Sequence, residues 1–397
     1  MLNQIVKGLG TQKSVIRELA GLAAERAKVV GAENVLNFSI GNPSVPAPQA
    51  VQDAIIDIIK NQPPTSYHSY SAGNGFEETR KAIADNLNKR YKTDYKADNF
   101  YMTCGAAASL SISLKAIIPD ANSEIIALAP MFPEYKVFIE AQGGKMVLIP
   151  APEGMGLDVN AIEKAITKNT RGIIVNSPNN PSGVIYPKSD MKKLADMLKK
   201  KSSEIGSPIY LITDEPYREL VLVDDEEVTW VPSIYDNTIV CYSWSKSLSL
   251  PGERIGYVLV PNTVADKELM AAVGGAGRAL GYVCAPTLMQ KVIAKVVDTP
   301  AELTVYKKNR DLLYKGLTEL GYTVAKPSGA FYMFIKSPDG SGQNLSDKAK
   351  KRDMMIVPGA GFGVPEYVRL SFCVSTEACE KSLPKFKEIM EEFKAGK

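Results

Sequence analysis

The spacing of hydrophobic residues changes along the chain, and each spacing predicts a different kind of element. From Ser14 to Val30 apolar residues recur every three or four positions, which predicts an amphipathic helix that stops at Gly31. Similar patterns predict helices over Ala47–Ile59 and Phe76–Tyr91. A short apolar run predicts a strand over Val35–Ile40.

From Asn99 onward, short apolar runs alternate with longer amphipathic segments. The predicted strands are Phe100–Cys104, Ile125–Ala129, Lys145–Ile149, Gly172–Val175, Pro208–Thr213, Thr238–Tyr242 and Ile255–Val260. The predicted helices between them include Ala107–Ile118, Val159–Ile166 and Lys188–Lys200. Several strands are apolar at nearly every position, as strands buried on both faces are. The alternation predicts an α/β fold with a mostly parallel central sheet and helices on both faces.

The pattern changes again after Cys284. A long helical stretch over Leu288–Leu320 is followed by apolar runs and by a closing helix near Thr376–Phe393. The apolar runs are Ala330–Ile335, Met354–Val357 and Tyr367–Cys373. We expect a smaller α+β domain here, joined by the N-terminal segment. The predicted division is a large α/β domain over residues 45–285 and a discontinuous small domain over residues 1–44 and 286–397.

Composition narrows the kinds of function to expect. The net charge of +3 is too small to indicate a nucleic-acid or membrane partner. The five cysteines form no CxxC pair, no uncharged apolar run approaches the ~20 residues that span a bilayer, and the N-terminus lacks the layout of a signal peptide. His68 is the single histidine, so no histidine-built metal site is expected. We therefore expect a cytoplasmic protein whose chemistry depends on lysine, carboxylates, tyrosine or a cofactor.

Chemically useful residues follow five of the predicted strands. In an open parallel sheet, ligands bind beyond the carboxyl ends of the strands, so residues that follow different strands meet in one crevice. The five sets are Gly105-Ala106-Ala107-Ala108-Ser109, Pro130-Met131-Phe132, Asn176-Ser177-Pro178-Asn179-Asn180-Pro181-Ser182-Gly183, Asp214-Glu215-Pro216-Tyr217, and Ser243-Trp244-Ser245-Lys246 with Arg254 eight residues further on.

Together these sets suit an anionic, planar cofactor with a ring nitrogen. Small residues at a helix start leave backbone N–H groups free for a phosphate, and Ser243 and Arg254 add further donors. Phe132 offers a flat face for a ring, and a buried Asp214 can hold a ring nitrogen protonated. Lys246 supplies an amine that forms imines with carbonyl groups.

In order and spacing, these motifs resemble the class I and II aminotransferases, which are fold-type I enzymes that use pyridoxal 5′-phosphate (PLP). The resemblance covers nearly the whole chain, from Gly41-Asn42-Pro43 to Arg369-Leu370-Ser371-Phe372. A single motif is weak evidence, so the specificity lies in the series. Spacings of 34, 32 and 8 residues separate Asn180, Asp214, Lys246 and Arg254. The resemblance implies the fold-type I transferase fold and PLP as cofactor.

The resemblance implies a role for each residue that matches a family motif. Lys246 would hold the cofactor as a Schiff base (aldimine) and then act as the base that moves a proton. Asp214 would pair with the ring nitrogen and keep it cationic. Asn180 and Tyr217 would hydrogen-bond the ring 3′-oxygen. Phe132 would stack on the ring, although many relatives have tryptophan at this position.

The resemblance also implies how the phosphate and the substrate are held. The residues that would bind the phosphate or lie beside the cofactor are Ala106, Ala107, Ser243, Ser245 and Arg254. Tyr70 matches the tyrosine that family members lend to the phosphate of the neighbouring subunit, which implies a homodimer with shared active sites. Arg369 would grip the α-carboxylate of the substrate, with Gly41 and Asn180 close by.

Transamination between an L-amino acid and a 2-oxo acid is the favoured reaction, because the family's motif residues are complete. Aspartate with 2-oxoglutarate is the favoured pair, on the hypothesis that Arg278 binds the distal carboxylate across the dimer interface. A structural or surface role for Arg278 fits the sequence at least as well. The alternatives are a PLP-dependent carbon–sulfur β-lyase and an aminotransferase for aromatic or alanine-type substrates.

Two local features favour other interpretations. The glycine-rich run Gly274–Gly281 looks like a dinucleotide-binding loop. It follows a predicted helical segment, Val264–Val273, and has no suitably placed acidic residue about 20 positions further on, which argues against NAD. His68, two residues before Tyr70, is interpreted as a loop histidine.

Overall fold

The computed structural model describes residues 2–11 and 14–396. Its strands are β1 Leu36–Asn37, β2 Phe100–Thr103, β3 Glu124–Leu128, β4 Lys145–Ile149, β5 Thr170–Asn176, β6 Tyr210–Asp214, β7 Thr238–Ser243, β8 Gly256–Leu259, β9 Tyr332–Lys336, β10 Met354–Met355, β11 Val357–Pro358 and β12 Tyr367–Ser371. Its helices are α1 Gln4–Thr11, α2 Val15–Val30, α3 Gln49–Asn61, α4 Thr65–His68, α5 Glu77–Tyr91, α6 Ala106–Ile117, α7 Glu134–Ala141, α8 Val159–Ala165, α9 Lys188–Ile205, α10 Leu269–Ala279, α11 Thr287–Val296, α12 Thr304–Glu319, α13 Gly342–Lys350 and α14 Thr376–Lys394.

A seven-stranded sheet forms the centre of the fold, in the order β2-β8-β7-β6-β5-β3-β4. Strand β8 is antiparallel to both neighbours, and the other strands run in one direction. Every residue of β2, β6, β7 and β8 is buried, which explains their nearly unbroken apolar sequences. The expected mostly parallel α/β sheet is confirmed.

Helices cover both faces of this sheet, as alternate residues of β3 show. Ile125 and Ala127 enter a hydrophobic core with residues of α6, α7 and α10. Ile126 and Leu128 point the other way, into a core with residues of α8 and α9. Because side chains alternate along a strand, one short apolar run supplies two separate cores.

A second, smaller sheet is built from the C-terminal part of the chain, with β12 antiparallel to both β11 and β9. The N-terminal segment joins this part through β1, where Leu36 pairs in parallel with Met354. A core that contains Leu36, residues of α12 and residues of α14 packs beside the smaller sheet. The discontinuous small domain stays a proposal.

We retain the division at residue 285 as a proposal. The helix that follows it, α11, contributes Met289 and Ile293 to a core shared with α3 and α5 of the sheet-bearing part. The helix therefore packs across the proposed boundary.

Several predicted elements differ in detail from the observed ones. The predicted helix Leu288–Leu320 is two helices, because Pro300 lies in the connection between them and has no N–H for a helical hydrogen bond. The predicted strand Val35–Ile40 shrinks to two residues. Helix α7 lies between two predicted strands, where a helix was expected, but no bounds were predicted for it. His68 ends the short helix α4 instead of lying in a loop, with its ring centroid 4.5 Å from that of Tyr67.

The glycine-rich run corrects another expectation. Gly274, Gly275 and Gly277 lie inside α10, whereas the helical segment was expected to end at Val273. A side chain on Gly277 would collide with the hydroxyl group of Tyr101. Close packing against β2 therefore explains why glycine is required at position 277, and nucleotide binding is not needed to explain it.

All five cysteines are free, and three of them are buried. Across residues 2–11 and 14–396, no helix is both long and apolar enough to cross a membrane. The same residues contain no group of three or more His, Cys, Asp or Glu side chains that could hold a metal ion.

Candidate active site

A cavity of about 290 Å³ lies at the carboxyl ends of the parallel strands. It brings together residues that are far apart in the sequence, as expected for residues that follow different strands of a parallel sheet. The candidate residues that line it are Gly41, Ala106, Ala107, Phe132, Asn180, Asp214, Tyr217, Ser243, Ser245, Lys246, Arg254 and Arg369. Every candidate except Tyr70 and Arg278 is therefore present.

One end of the cavity presents groups of the kind that can bind an oxyanion. Helix α6 begins after Gly105, whose φ of 89° is unfavourable for residues with a side chain, and no side chain caps the first N–H groups. A Cβ on Gly105 would lie 2.7 Å from an Nη atom of Arg254. Ser243 Oγ lies 3.2 Å from Ser245 Oγ at the same end. Free backbone donors, hydroxyls and a guanidinium are the usual ligands of a phosphate.

Arg254 is held in place by the backbone. Its Nη1 atom donates to the carbonyl oxygen of Pro251 at 2.8 Å, and its Nη2 atom donates to that of Cys104 at 3.2 Å. A guanidinium has five N–H donors, so others remain for a ligand. Backbone carbonyl groups thus hold the exposed Arg254 guanidinium beside the start of α6.

Asp214 ends β6 and is only 5% exposed. Its Oδ2 atom accepts a 2.6 Å hydrogen bond from the Tyr135 hydroxyl, while its Oδ1 atom has no partner within the described residues. Burial raises the pKa of Asp214 to about 7, the hydrogen bond from Tyr135 lowers it, and the charge of Glu215 raises it further. A cationic N–H donor at Oδ1 would satisfy that atom and stabilise the carboxylate.

Lys246 lies in the turn after β7 and is partly exposed to the cavity. Its Nζ atom donates to the carbonyl oxygen of Gly41 at 2.8 Å. Burial lowers the pKa of Lys246 to about 8; nearby Cys373 opposes this, and the positive charges of Arg369 and Arg254 contribute to it. A substantial fraction of this amine is therefore neutral, and nucleophilic, slightly above neutral pH.

Arg369, on β12, is 3% exposed and offers a buried cation. One Nη atom donates to Asn180 Oδ1 at 3.1 Å and the other to the carbonyl oxygen of Ser39 at 2.6 Å. Its Nε atom is buried and has no hydrogen-bond partner in the described structure. Burial lowers the pKa of Arg369, although a guanidinium stays charged. A carboxylate bound here would satisfy the unpaired donors.

Tyr217 and Phe132 complete the walls. The Tyr217 hydroxyl lies 2.9 Å from the hydroxyl of Tyr332, and burial raises the pKa of Tyr217 well above its ordinary value. The ring of Phe132 is held edge-on against Tyr135, with centroids 5.7 Å apart. An aromatic face and a phenol thus border the same space as Asp214.

Tyr70 and Arg278 lie outside this cavity. Tyr70 is 82% exposed. Arg278 lines a different cavity of about 500 Å³, together with Tyr101 and Tyr282. A single chain therefore brings neither side chain to the candidate site.

Three contributors to the site had no role assigned to them from the sequence. Tyr135 binds Asp214, Tyr332 binds Tyr217, and Asn176 donates to the Asp214 carbonyl oxygen at 2.8 Å while accepting from the Asn180 backbone N–H at 2.7 Å. Asn176 was visible as the first residue of the polar run that follows the predicted strand Gly172–Val175, and it is the last residue of β5. Tyr135 lies in α7, for which no bounds were predicted, and Tyr332 lies within the apolar run Ala330–Ile335.

Comparison with known proteins shows the family to which this chain is related. The family model described as aminotransferase class I and II matches residues 33–386. A probable aspartate aminotransferase of Methanocaldococcus jannaschii is 30% identical, over 95% of this chain and 97% of that protein. An aromatic-amino-acid aminotransferase of Thermococcus litoralis is 28% identical, over 96% of both chains. The crystal structure of an aminotransferase from Eubacterium rectale is 53% identical over 99% of both chains, with a TM-score of 0.97. The chain belongs to the class I and II aminotransferases, and it is an enzyme.

Proposed function

We propose that this enzyme uses PLP to move the amino group of an L-amino acid, with L-aspartate favoured, to a 2-oxo acid such as 2-oxoglutarate. The observation that carries the proposal is the pairing of two groups in one cavity. The amine of Lys246 has a pKa of about 8, and the buried carboxyl of Asp214 has an oxygen with no partner among the described residues.

The residues present fit PLP. Its phosphate matches the uncapped start of α6 with Ser243, Ser245 and Arg254, and Gly105 leaves the space that a Cβ would fill. Its ring nitrogen matches the unpartnered oxygen of Asp214. We assign the phosphate to Ala106, Ala107, Ser243 and Arg254, with Ser245 beside it. We assign the ring to Phe132, Asn180, Asp214 and Tyr217.

Bound PLP supplies an aldehyde carbon that condenses with amines and a cationic ring that accepts the electron pair released at the substrate α-carbon. Lys246 would hold the cofactor and, once the amino group of the substrate has displaced its Nζ atom, would take the proton from the substrate α-carbon on that atom. Its lowered pKa keeps much of this amine unprotonated and ready for both tasks. Asp214 keeps its negative charge toward the ring nitrogen, so that the nitrogen stays protonated.

Arg369 binds and orients the substrate through its α-carboxylate. Its unpaired Nε–H and the second N–H of each Nη atom are the donors available for a two-pronged pair. Asn180 Oδ1 and the Ser39 carbonyl oxygen fix the plane of the guanidinium, which sets the direction from which the α-carbon faces Lys246.

We propose a homodimer with shared active sites. Tyr70 would reach the phosphate of the neighbouring subunit, and Arg278 would bind the distal carboxylate of aspartate there. The exposure of Tyr70 and the position of Arg278 outside the cavity of its own chain support this assignment. The name of the relative from M. jannaschii supports aspartate.

A second candidate donor is an aromatic amino acid, as in the name of the relative from T. litoralis. The test is a panel of L-aspartate, L-phenylalanine, L-tyrosine and L-alanine, each with 2-oxoglutarate, in which glutamate formation is measured. Faster glutamate formation with aspartate supports the proposal, and faster formation with an aromatic donor moves the assignment to the second candidate. Release of pyruvate and ammonia from a cysteine conjugate, without glutamate formation from any donor, would replace transamination by carbon–sulfur β-elimination.

A further inference from the structure

Tyr332 is the first residue of β9 and lines the same cavity as Lys246 and Asp214. It is 3% exposed. Its hydroxyl oxygen lies 2.9 Å from the hydroxyl oxygen of Tyr217. Its ring centroid lies 4.8 Å from the guanidinium carbon of Arg369. One side chain therefore contacts two residues to which we assign different tasks.

The packing around Gly41 fixes the position of this phenol. A Cβ on Gly41 would collide with the Tyr332 hydroxyl, so the backbone approaches the phenol as closely as glycine allows. The carbonyl oxygen of the same glycine accepts the hydrogen bond from Lys246. The Tyr217 and Tyr332 rings also meet edge to face, with centroids 5.6 Å apart at 82°. Tyr332 is thus confined by Gly41, Tyr217 and Arg369.

In the structure either phenol can donate in the shared hydrogen bond. Counting protons gives this bond a direction when Tyr217 also binds the cofactor. Each phenol has one proton, and the phenol that donates in the shared bond has none left to donate elsewhere. Both phenols stay protonated near neutral pH, because burial raises the pKa of Tyr332 to about 12 and that of Tyr217 well above 10. If Tyr217 donates to the 3′-oxygen of the cofactor, Tyr332 must donate to Tyr217.

We propose that Tyr332 is a positioning residue: it donates its proton to Tyr217, which frees the Tyr217 proton for the cofactor ring oxygen, and its ring supports the guanidinium of Arg369. This inference rests on the proposed function. A donor that itself accepts a hydrogen bond is a stronger donor, so Tyr332 strengthens the bond from Tyr217 to the ring. The charged and titratable groups that act on the two phenols are Asp214, Arg369 and Cys373.

The experiment is a spectroscopic pH titration of the PLP-loaded protein. A hydrogen bond to the ring oxygen favours negative charge there, so its loss raises the pH midpoint of the absorbance change. We expect Tyr217→Phe to raise the midpoint by about one unit and Tyr332→Phe to raise it by about half a unit. In the double variant, the Tyr332 change should add nothing, because its effect passes through Tyr217. Tyr235→Phe removes a buried, hydrogen-bonded hydroxyl in a separate core, so it is the matched control and should leave the midpoint unchanged.

The ring contact has its own readout. Tyr332→Leu removes the aromatic face as well as the hydroxyl, so we expect KM for L-aspartate to rise about tenfold above that of Tyr332→Phe. Equal KM values in the two variants would overturn the role of the ring. A wild-type midpoint in Tyr332→Phe, or a shift that persists in the Tyr217→Phe background, would overturn the role of the hydroxyl. A wild-type protein that gives no visible band with PLP would instead overturn the proposed function.

Discussion

At the scale of single residues, the candidate site holds acid and base groups away from their ordinary pKa values. Burial lowers the pKa of Lys246 to about 8 and raises that of Asp214 to about 7. Both shifts follow from the cost of placing a charge in a cavity with too few partners. The same shifts that prepare the site for a cofactor make the cofactor-free protein less stable near neutral pH.

This cost predicts a pH-dependent effect of Asp214→Asn. The folded-state pKa is raised from 3.8 to about 7, so the stability that the carboxyl contributes is fully present below pH 3.8 and is lost as pH rises through 7. Asparagine keeps the acceptor for Tyr135 and cannot ionise. We expect the cofactor-free variant to gain unfolding free energy relative to wild type, with a gain that grows by about 2–3 kcal/mol between pH 5 and pH 8.

Urea unfolding of the cofactor-free proteins at the two pH values measures this gain. The exposed Asp236→Asn is the control and should show no such growth. An Asp214→Asn gain that is the same at pH 5 and pH 8 would mean that the carboxyl is not destabilised by ionisation in the folded protein.

Which site residues the sequence could predict depends on how they come together. Lys246, Asp214 and Asn180 follow strands, and strand ends meet at one edge of a sheet, so their proximity was predictable. Tyr135 and Tyr332 reach their partners across 79 and 115 residues. Local hydrophobic patterns say nothing about such pairings, because each tyrosine also fits its element as an ordinary apolar residue.

At the scale of elements, the start of α6 is the part most specialised for its task. Gly105 combines a positive φ with close approach to Arg254, whereas Gly143 has a similar φ of 87° and no described atom within 4 Å of a built Cβ. Substituting each glycine in turn therefore distinguishes the cost of backbone strain from the effect of blocking the anion site.

We expect Gly143→Ala to cost about 1 kcal/mol of stability from the positive φ, and Gly105→Ala about 1–3 kcal/mol, because its ψ of 172° lies in a region that only glycine readily adopts. Only Gly105→Ala should weaken PLP binding, by about 10- to 100-fold, because the new methyl group displaces the Arg254 guanidinium. Fluorescence titration with PLP measures the affinity. Equal affinities for the two variants would contradict the assignment of the phosphate to this helix start.

Element types were more predictable than their limits or direction. The nearly continuous apolar runs identified the strands of the large sheet, but nothing in Ile255–Val260 showed that β8 runs antiparallel to its neighbours. The glycines of α10 suggested a loop because glycine is a poor helix former, whereas tertiary contact between Gly277 and Tyr101 accounts for that glycine.

At the scale of the whole molecule, the cavity is assembled from both proposed domains. Gly41 and Arg369 come from the discontinuous part, and Lys246 and Asp214 come from the part with the large sheet. Tyr70 is left exposed on the surface. If Tyr70 binds the phosphate of the neighbouring subunit, as we propose, a complete site needs two subunits in addition to both domains of one chain.

The proposed homodimer predicts complementation between two defective variants. Lys246→Ala removes the amine, and Tyr70→Ala removes the side chain that we assign to the neighbouring site. In a mixed dimer, one site carries both changes and the other carries neither. Equal amounts of the two variants, unfolded and refolded together, should therefore regain about a quarter of the wild-type sites. Recovery no greater than the sum of the separate variants would contradict shared active sites.

The central claim is that Lys246 carries PLP in a transaminating site, and the absorption spectrum of the purified protein tests it most directly. With PLP we expect a visible band that L-aspartate converts to the band of the pyridoxamine form and that 2-oxoglutarate then restores. Lys246→Ala should not form the lysine-dependent band, whereas Lys168→Ala, at an exposed position, should behave as wild type. A Lys246→Ala protein with the wild-type band and the same response to L-aspartate would contradict the account.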